Sequence, residues 1–331
     1  MTDDTESAED RLIARYFRPL ATHPGAFGLT DDAAVLTPPH GCDLVLKTDG
    51  VIAGVHFFPD DPPENVGRKA LRMNLSDLAA KGAKPAGFLI AVALRADTDE
   101  TWLAAFAAGL REDAERYACP LLGGDTDRTP GPVSVAIAAF GVVPHSKMVR
   151  RSTAKVGDHI VVTGTIGDAA LGVKLRREAA LVERWRLTDI MAGHLELRYL
   201  LPLPRNELAH AVLEYASAAM DVSDGLVGDL AKLCRASSVG AEIDVARVPL
   251  CEAARTVVTA DPAEMDTVLT GGDDYEIVLT LAPEKFPAFC AAAEAAGVAV
   301  TEIGRVTAGK GAHFVRDGKA LTFKRPSYSH F

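Results

Sequence analysis

The sequence predicts a two-domain chain of the α/β (α+β) class, and three observations carry that prediction. Apolar runs of strand length alternate with amphipathic helical stretches, and the alternation occurs twice. A polar segment, PHSKMVRRSTAKVGD at 144–158, interrupts the apolar pattern between the two series. The 331 residues, 48% hydrophobic and 24% charged, are enough for two ordinary domains rather than one. The expected division is 1–148 and 149–331, each half of mixed strand and helix, with no obvious repeat of the first half in the second.

The first series opens with a helix over 7–18, where Leu12, Ile13, Tyr16 and Phe17 recur at helical spacing. DLVLKT at 43–48 reads as a strand. A helix follows over 64–80, with Val66, Ala70, Met73 and Leu78 at helical intervals and Pro62 and Pro63 just before its start. GFLIAVAL at 87–94 is the next strand, followed by an amphipathic helix over 99–118 that carries Trp102, Phe106, Leu110 and Tyr117. VSVAIAAFGVV at 133–143 closes the series as a strand. Beyond the polar break, DHIVVTG at 158–164 is a strand ending in a glycine turn, and GDAALGVKLRREAA begins a helix. The same order returns with DVSDGLVGDLAKLC, AEIDV, YEIVLTL and an alanine-rich helix around 284–297.

Composition excludes several function classes. A formal net charge of −10 argues against a nucleic-acid partner, whose phosphate backbone is held mainly by Lys and Arg. The longest apolar stretches, such as 86–94, are too short to span a bilayer, and the start MTDDTESAED is acidic rather than a basic leader, so a cytoplasmic location is expected. The five cysteines, Cys42, Cys119, Cys234, Cys251 and Cys290, are widely spaced and lack any CxxC, which speaks against a zinc site or a disulfide framework.

Chemistry is signalled by acidic segments: TDDAAV at 30–35, KTDG at 47–50, NLSDLAA at 74–80, GGDTD at 123–127, DVSDGL at 221–226 and GGDDYE at 271–276. They set aspartates beside glycine, serine and threonine at the ends of apolar runs, where loops are expected to meet a ligand. Carboxylates gathered in one site repel, and hard divalent cations that also bridge phosphate oxygens are the natural compensation, which implies a Mg2+-dependent, phosphate-handling enzyme. Taken singly each segment is weak. An Asp–Asp pair such as Asp31–Asp32 is commonly a turn or helix cap, and GGD at 123–125 is either a tight turn or a close backbone approach to a ligand. DVSDGL lacks the distal Glu of an EF-hand. GRVTAGKG at 304–311 has Gly311 where a phosphate loop needs Ser or Thr, and is expected to be a hairpin turn.

In this order and spacing the segments resemble the thiamine-monophosphate kinase family, within the superfamily of aminoimidazole ribonucleotide synthetase. The discriminating pieces are TDGVIAGVHF at 48–57, NLSDLAAKGAKP at 74–85, GGDT at 123–126, VTGTIGDAALG at 162–172, DVSDGL and GGDDYE, and the likeness runs from SAEDRLIARYF to the closing SYSHF. The resemblance implies transfer of a phosphoryl group from ATP to thiamine monophosphate, a homodimer formed through the N-terminal mixed sheet, and a C-terminal domain that closes the site. Residue by residue it implies that Asp32, Thr48, Asp49, Asp77, Asp125, Asp221 and Asp224 hold Mg2+. It further implies that Gly124, Asp125, Arg151 and Ser223 contact ATP, and that His56, Asp273 and Arg325 contact the acceptor.

Three positions depart from the family's pattern. Asp273 stands where the family commonly has Glu, and Arg325 stands near a usual aromatic, for which Phe323 or Tyr328 is the expected substitute. Lys47 also takes a place where the family uses a small residue. The alternatives are another ATP-dependent synthetase of the superfamily, which would share the aspartates but not the TDGVIAGVHF and NLSDLAAKGA pair, and a non-catalytic nucleotide- or metal-binding regulator.

Overall fold

The computed structural model describes residues 7–325 and 327; Tyr328 lies outside the described residues. Its contacts form two compact units, Met1–Leu78 with Lys84–Ser146, and Ala79–Ala83 with Lys147–Phe331. The five residues 79–83 therefore pack with the second unit, although the chain around them belongs to the first.

Unit 1 begins with α1 (Ala8–Leu12), capped by Ser7, whose Oγ accepts from Asp10 N at 3.0 Å while the Asp10 carboxylate accepts from Ser7 N at 3.0 Å. The helical spacing of 7–18 does not persist as one α-helix. A π-helical turn (Ile13–Phe17) and a 3-10 turn (Arg18–Leu20) follow, because Pro19 cannot donate into a continuing helix. Then come β1 (Cys42–Ile52), α2 (Pro63–Ala80), β2 (Lys84–Arg95), α3 (Glu100–Arg116), β3 (Leu121–Thr129) and β4 (Ser134–Pro144). The sheet order is β1-β4-β2-β3, with β2 and β3 parallel and the other pairs antiparallel.

Helices α2 and α3 pack closely through glycine. A Cβ on Gly109 would sit 2.0 Å from Glu64 O, and one on Gly67 would sit 2.6 Å from Phe106 O. The buried Arg72 of α2 clamps Asp113 of α3 with a two-point ion pair at 2.5 and 2.9 Å, so neither charge is left unpaired. The sheet's other face is incompletely covered: Leu46 is 67% exposed and Leu89 37% exposed.

Unit 2 holds β5 (His159–Thr163), α4 (Asp168–Arg177), α5 (Leu181–Arg184), α6 (Asp189–Leu200), α7 (Ala209–Tyr215), β6 (Ala218–Val222), α8 (Leu226–Ser237) and β7 (Gly240–Asp244). It continues with α9 (Glu252–Ala260), α10 (Glu264–Thr270), β8 (Glu276–Leu281), α11 (Phe286–Ala295), β9 (Val300–Thr307), β10 (Gly311–Arg316) and β11 (Lys319–Ala320). One seven-stranded sheet, order β11-β10-β7-β9-β5-β8-β6, separates two apolar cores. Ile160 and Val162 of β5 enter the core that contains Trp185 and Phe314, while Val161 enters the one that contains Phe289. Burial on both faces explains why β5 and β8 are apolar at successive positions, Ile160 to Val162 and Ile277 to Leu279, rather than at alternate ones.

Three local expectations are corrected. Residues 304–311 do not form a hairpin turn, because β9 and β10 do not pair with each other; both flank β7, antiparallel and parallel respectively. GGDTD is not a loop or tight turn but the body of β3, with Gly124 opposite Ile90 and Asp125 opposite Ala91. KTDG likewise lies inside β1 rather than at its end.

Candidate active site

In unit 1, β1 alternates its side chains between the two faces of the sheet. Thr48 faces a cavity of about 790 Å3 that is also lined by Asp32, Gly124 and Asp125, and by Leu46 and Phe140 among its apolar walls. Thr48 Oγ1 donates to Ile137 O at 3.0 Å, which leaves its lone pairs free to accept. Asp125 is exposed, and its Oδ1 accepts from Thr126 N at 2.9 Å.

On the helix-covered face stand Lys47 and Asp49. Lys47 Nζ lies 2.7 Å from Asp77 Oδ2 on α2 and 3.1 Å from Asp49 Oδ2. Burial opposes the ammonium charge, yet the two carboxylates outweigh it and raise the Lys47 pKa above its ordinary value. Asn74, one helical turn before Asp77 and fully buried, accepts from Asp49 N at 3.0 Å through Oδ1 and donates to Ala70 O at 3.0 Å. Asn74 thus fixes β1 to α2 where the two aspartates meet. Sequence reasoning assigned it no role; the available signal was a poor helix former inside a helix, three residues before an aspartate.

His56 occupies a tight turn after β1. Its Nδ1 accepts from Ile52 N at 3.1 Å and its carbonyl accepts from Lys69 Nζ at 3.1 Å. In the neutral ring this bond places the proton on Nε2, so the outer nitrogen of this half-buried side chain is a donor suited to an anion.

In unit 2 the end of β6 runs into the start of α8 through Ser223, Asp224 and Gly225. Asp229, fully buried on α8, accepts from Ser223 N at 3.0 Å and Asp224 N at 2.8 Å. Lys232 Nζ donates to Asp229 Oδ1 at 2.9 Å and also pairs with Asp224. Burial raises the Asp229 pKa, against the pull of Lys232. The segment 271–275 is laced to this loop: Asp273 N donates to Ser223 O and Tyr275 N to Val222 O, both at 2.9 Å. A Cβ on Gly272 would lie 2.3 Å from Ser223 O, so the contact requires glycine. Asp273 itself has a φ of 71°, a left-handed backbone that Asp tolerates better than most residues, and its Oδ1 accepts from Tyr275 Oη at 3.3 Å.

The structure thus brings together Asp32, Thr48, Gly124 and Asp125 along one cavity, Asp49 and Asp77 around Lys47, and Asp221, Ser223, Asp224 and Asp273 at the β6 end. Arg151 and Arg325 are exposed, the latter near the end of the described chain. Phe323 packs edge-on against Phe314 at 5.6 Å, a core contact of unit 2. The oxygen donors of Asp49 and Asp77 already share one cation, the Lys47 ammonium, and such a hard, negatively charged oxygen pair fits Mg2+.

The chain matches the AIR synthase related protein N-terminal domain over residues 30–143 and the corresponding C-terminal domain over 155–316. It is 40% identical to the thiamine-monophosphate kinase of Caulobacter vibrioides, over 96% of this chain and 89% of that protein. The crystal structure of thiamine-monophosphate kinase from Stenotrophomonas maltophilia superposes with a TM-score of 0.83 at 38% identity, covering 94% of this chain and 96% of the other. A structure of AaThiL complexed with AMPPCP and TMP gives a TM-score of 0.77 at 30% identity, covering 93% and 97%.

Proposed function

The chain belongs to the AIR synthase related family and, within it, to the thiamine-monophosphate kinases, and from that membership we propose that it transfers the γ-phosphoryl group of ATP to thiamine monophosphate, giving thiamine diphosphate and ADP. The observation that carries the reading is the pair Asp49 and Asp77, held on β1 and α2 around one shared cation by Asn74 and Lys47.

Both reactants are anions, so the problem is to bring two phosphates together. Asp49 and Asp77, with Asp32, Thr48 and Asp125 in unit 1 and Asp221 and Asp224 in unit 2, are the ligands we assign to Mg2+. Held by these carboxylates, Mg2+ would supply the positive charge that offsets the repulsion between the two phosphates. The acceptor phosphate is ionised at neutral pH, so no residue is assigned as general base. Gly124, Asp125, Arg151 and Ser223 are assigned to ATP, with Gly124 and Ser223 offering backbone and hydroxyl groups and Arg151 a fixed positive charge. His56 is assigned to the acceptor through its Nε2–H donor, with Asp273 and Arg325. The Asp224 carboxylate is held by Lys232, which must yield or share it.

The same reading carries a homodimer formed through the unit 1 sheet, supported by the exposed Leu46 and Leu89 on the face that the helices leave uncovered. No helix of the described residues is long and apolar enough to cross a membrane. A cytoplasmic location belongs to the same proposal, and the net charge of −10 supports a protein without a nucleic-acid partner.

The deciding assay is ADP production from ATP with thiamine, thiamine monophosphate or thiamine diphosphate at equal concentration in saturating Mg2+. Turnover with the monophosphate alone is expected. Comparable rates with free thiamine would make the protein an alcohol kinase, and no acceptor-dependent ADP would favour a non-catalytic binding protein.

A further inference from the structure

Among the described residues, one trio brings three different metal-ligating side chains together, and none of them serves the phosphoryl-transfer reading. Asp168 opens α4, His194 lies in α6 and Cys251 caps α9, and their donor atoms all lie within 4.8 Å of one another. We propose that Asp168, His194 and Cys251 form a three-ligand site for a zinc-class transition metal ion that ties α4, α6 and α9 together in unit 2.

The Asp168 side chain is fully buried, yet only one of its oxygens is used. Oδ2 accepts from Thr165 Oγ1 at 2.5 Å and lies 3.4 Å from His194 Nε2, whereas Oδ1 has no N–H or O–H donor and the carboxylate's further contact is the weakly donating Cys251 thiol. An unsatisfied buried carboxylate oxygen is costly, and a bound cation beside it removes the cost. Cys251 Sγ accepts from Ala254 N at 3.2 Å at the amino end of a nine-residue helix, the kind of contact that steadies a metal-bound thiolate. His194 is 46% exposed at its side chain, so it is free to swing inward. Tetrahedral zinc with bonds of about 2.0–2.3 Å sets its ligands roughly 3.5 Å apart, a short contraction from the spacing observed.

Local charge permits the ion. Asp168, Asp274 and Glu276 face Arg198 and Arg205 here, and both guanidiniums bond Glu276, so Asp168 has no bonded cation. The donor set of one sulfur, one imidazole nitrogen and one oxygen selects zinc-like ions over Mg2+, and three protein ligands leave a fourth position for water. CxxC spacing rules miss such a site because its ligands lie 26 and 57 residues apart and meet only through helix packing.

The test uses the full chain, stripped with EDTA, desalted, and held in excess Mg2+ so that the phosphate-site carboxylates are occupied. Titrated Co2+ is expected to give the tetrahedral visible bands and the near-ultraviolet thiolate charge-transfer band, and Zn2+ is expected to displace it stoichiometrically. Cys251→Ser should abolish the charge-transfer band, and His194→Gln should weaken Zn2+ binding at least tenfold in a competition titration. A wild-type cobalt spectrum without thiolate charge transfer overturns the proposal even if a variant fails to fold, since it would leave Asp168 Oδ1 to a water molecule. Equal Zn2+ affinity in wild type and both variants overturns it as well. Loss of kinase activity in the Mg2+ assay bears on the phosphoryl-transfer reading and leaves this result untouched.

Discussion

Lys47 Nζ lies 2.7 Å from Asp77 Oδ2, so strand β1 and helix α2 share an internal cation. With Asp49 also 3.1 Å away, one ammonium serves two carboxylates. Lys47→Ala leaves those carboxylates to repel each other unless an ion intervenes. The variant is expected to be less stable than wild type in EDTA, by about 1–3 kcal/mol, and to gain more from added Mg2+. Thermal unfolding with and without Mg2+ checks this; an unchanged Mg2+ increment would mean that the ion does not bind between Asp49 and Asp77.

Asp49→Asn, Asp77→Asn and Asp125→Asn are each expected to lower turnover by about a hundredfold or more in saturating Mg2+. Their stabilities should differ. Asp125 is exposed and bonds only locally, so its variant should stay within about 0.5 kcal/mol of wild type, whereas Asp77→Asn strips Lys47 of its nearest partner. Near-normal turnover in all three would remove them from the metal set.

Gly124→Ala tests packing before it tests nucleotide binding. The added Cβ would lie 2.0 Å from Ile90 O on the neighbouring strand, a contact that β3 can relieve only by moving. Chemical denaturation of the protein without ligands should show a loss of about 1–3 kcal/mol. A fully stable variant would mean that β3 yields easily and that any activity defect belongs to the site.

Leu46 is 67% exposed on the uncovered face of the unit 1 sheet. If that face is the dimer interface, Leu46→Asp should convert a dimer to a monomer in sedimentation while the fold persists. A wild-type monomer at micromolar concentration would discard the interface altogether.

Asp274 is buried, and burial raises its pKa well above the ordinary carboxyl range, against the two bonds it accepts from Gly167 N. A carboxyl raised in the folded state holds its proton there while the unfolded chain has released it. Stability therefore falls as pH climbs from the unfolded value near 3.9 towards the folded one, by up to about 1.4 kcal/mol per unit. Asp274→Asn removes this group's share, so denaturant titrations across that range should show the variant gaining on wild type as pH rises. Parallel curves would place a paired, ionised carboxylate at this position.

Local periodicity alone determined α3, β2 and β4, because each buries one continuous side whose repeat is written in consecutive residues. The acidic motifs were equally legible as chemistry. Their setting was not: GGDTD is a strand only because β2 supplies backbone partners in parallel register, and that pairing joins residues 34 positions apart. The same holds where β9 and β10 are kept apart by β7, where Asn74 and Lys47 order Asp49 and Asp77, and where Asp168, His194 and Cys251 meet. A residue's own neighbours set its preference for strand or helix, but which side chains face one another depends on sheet order and helix packing. Those are decided by burial summed over the whole unit, so they arise only with the tertiary structure.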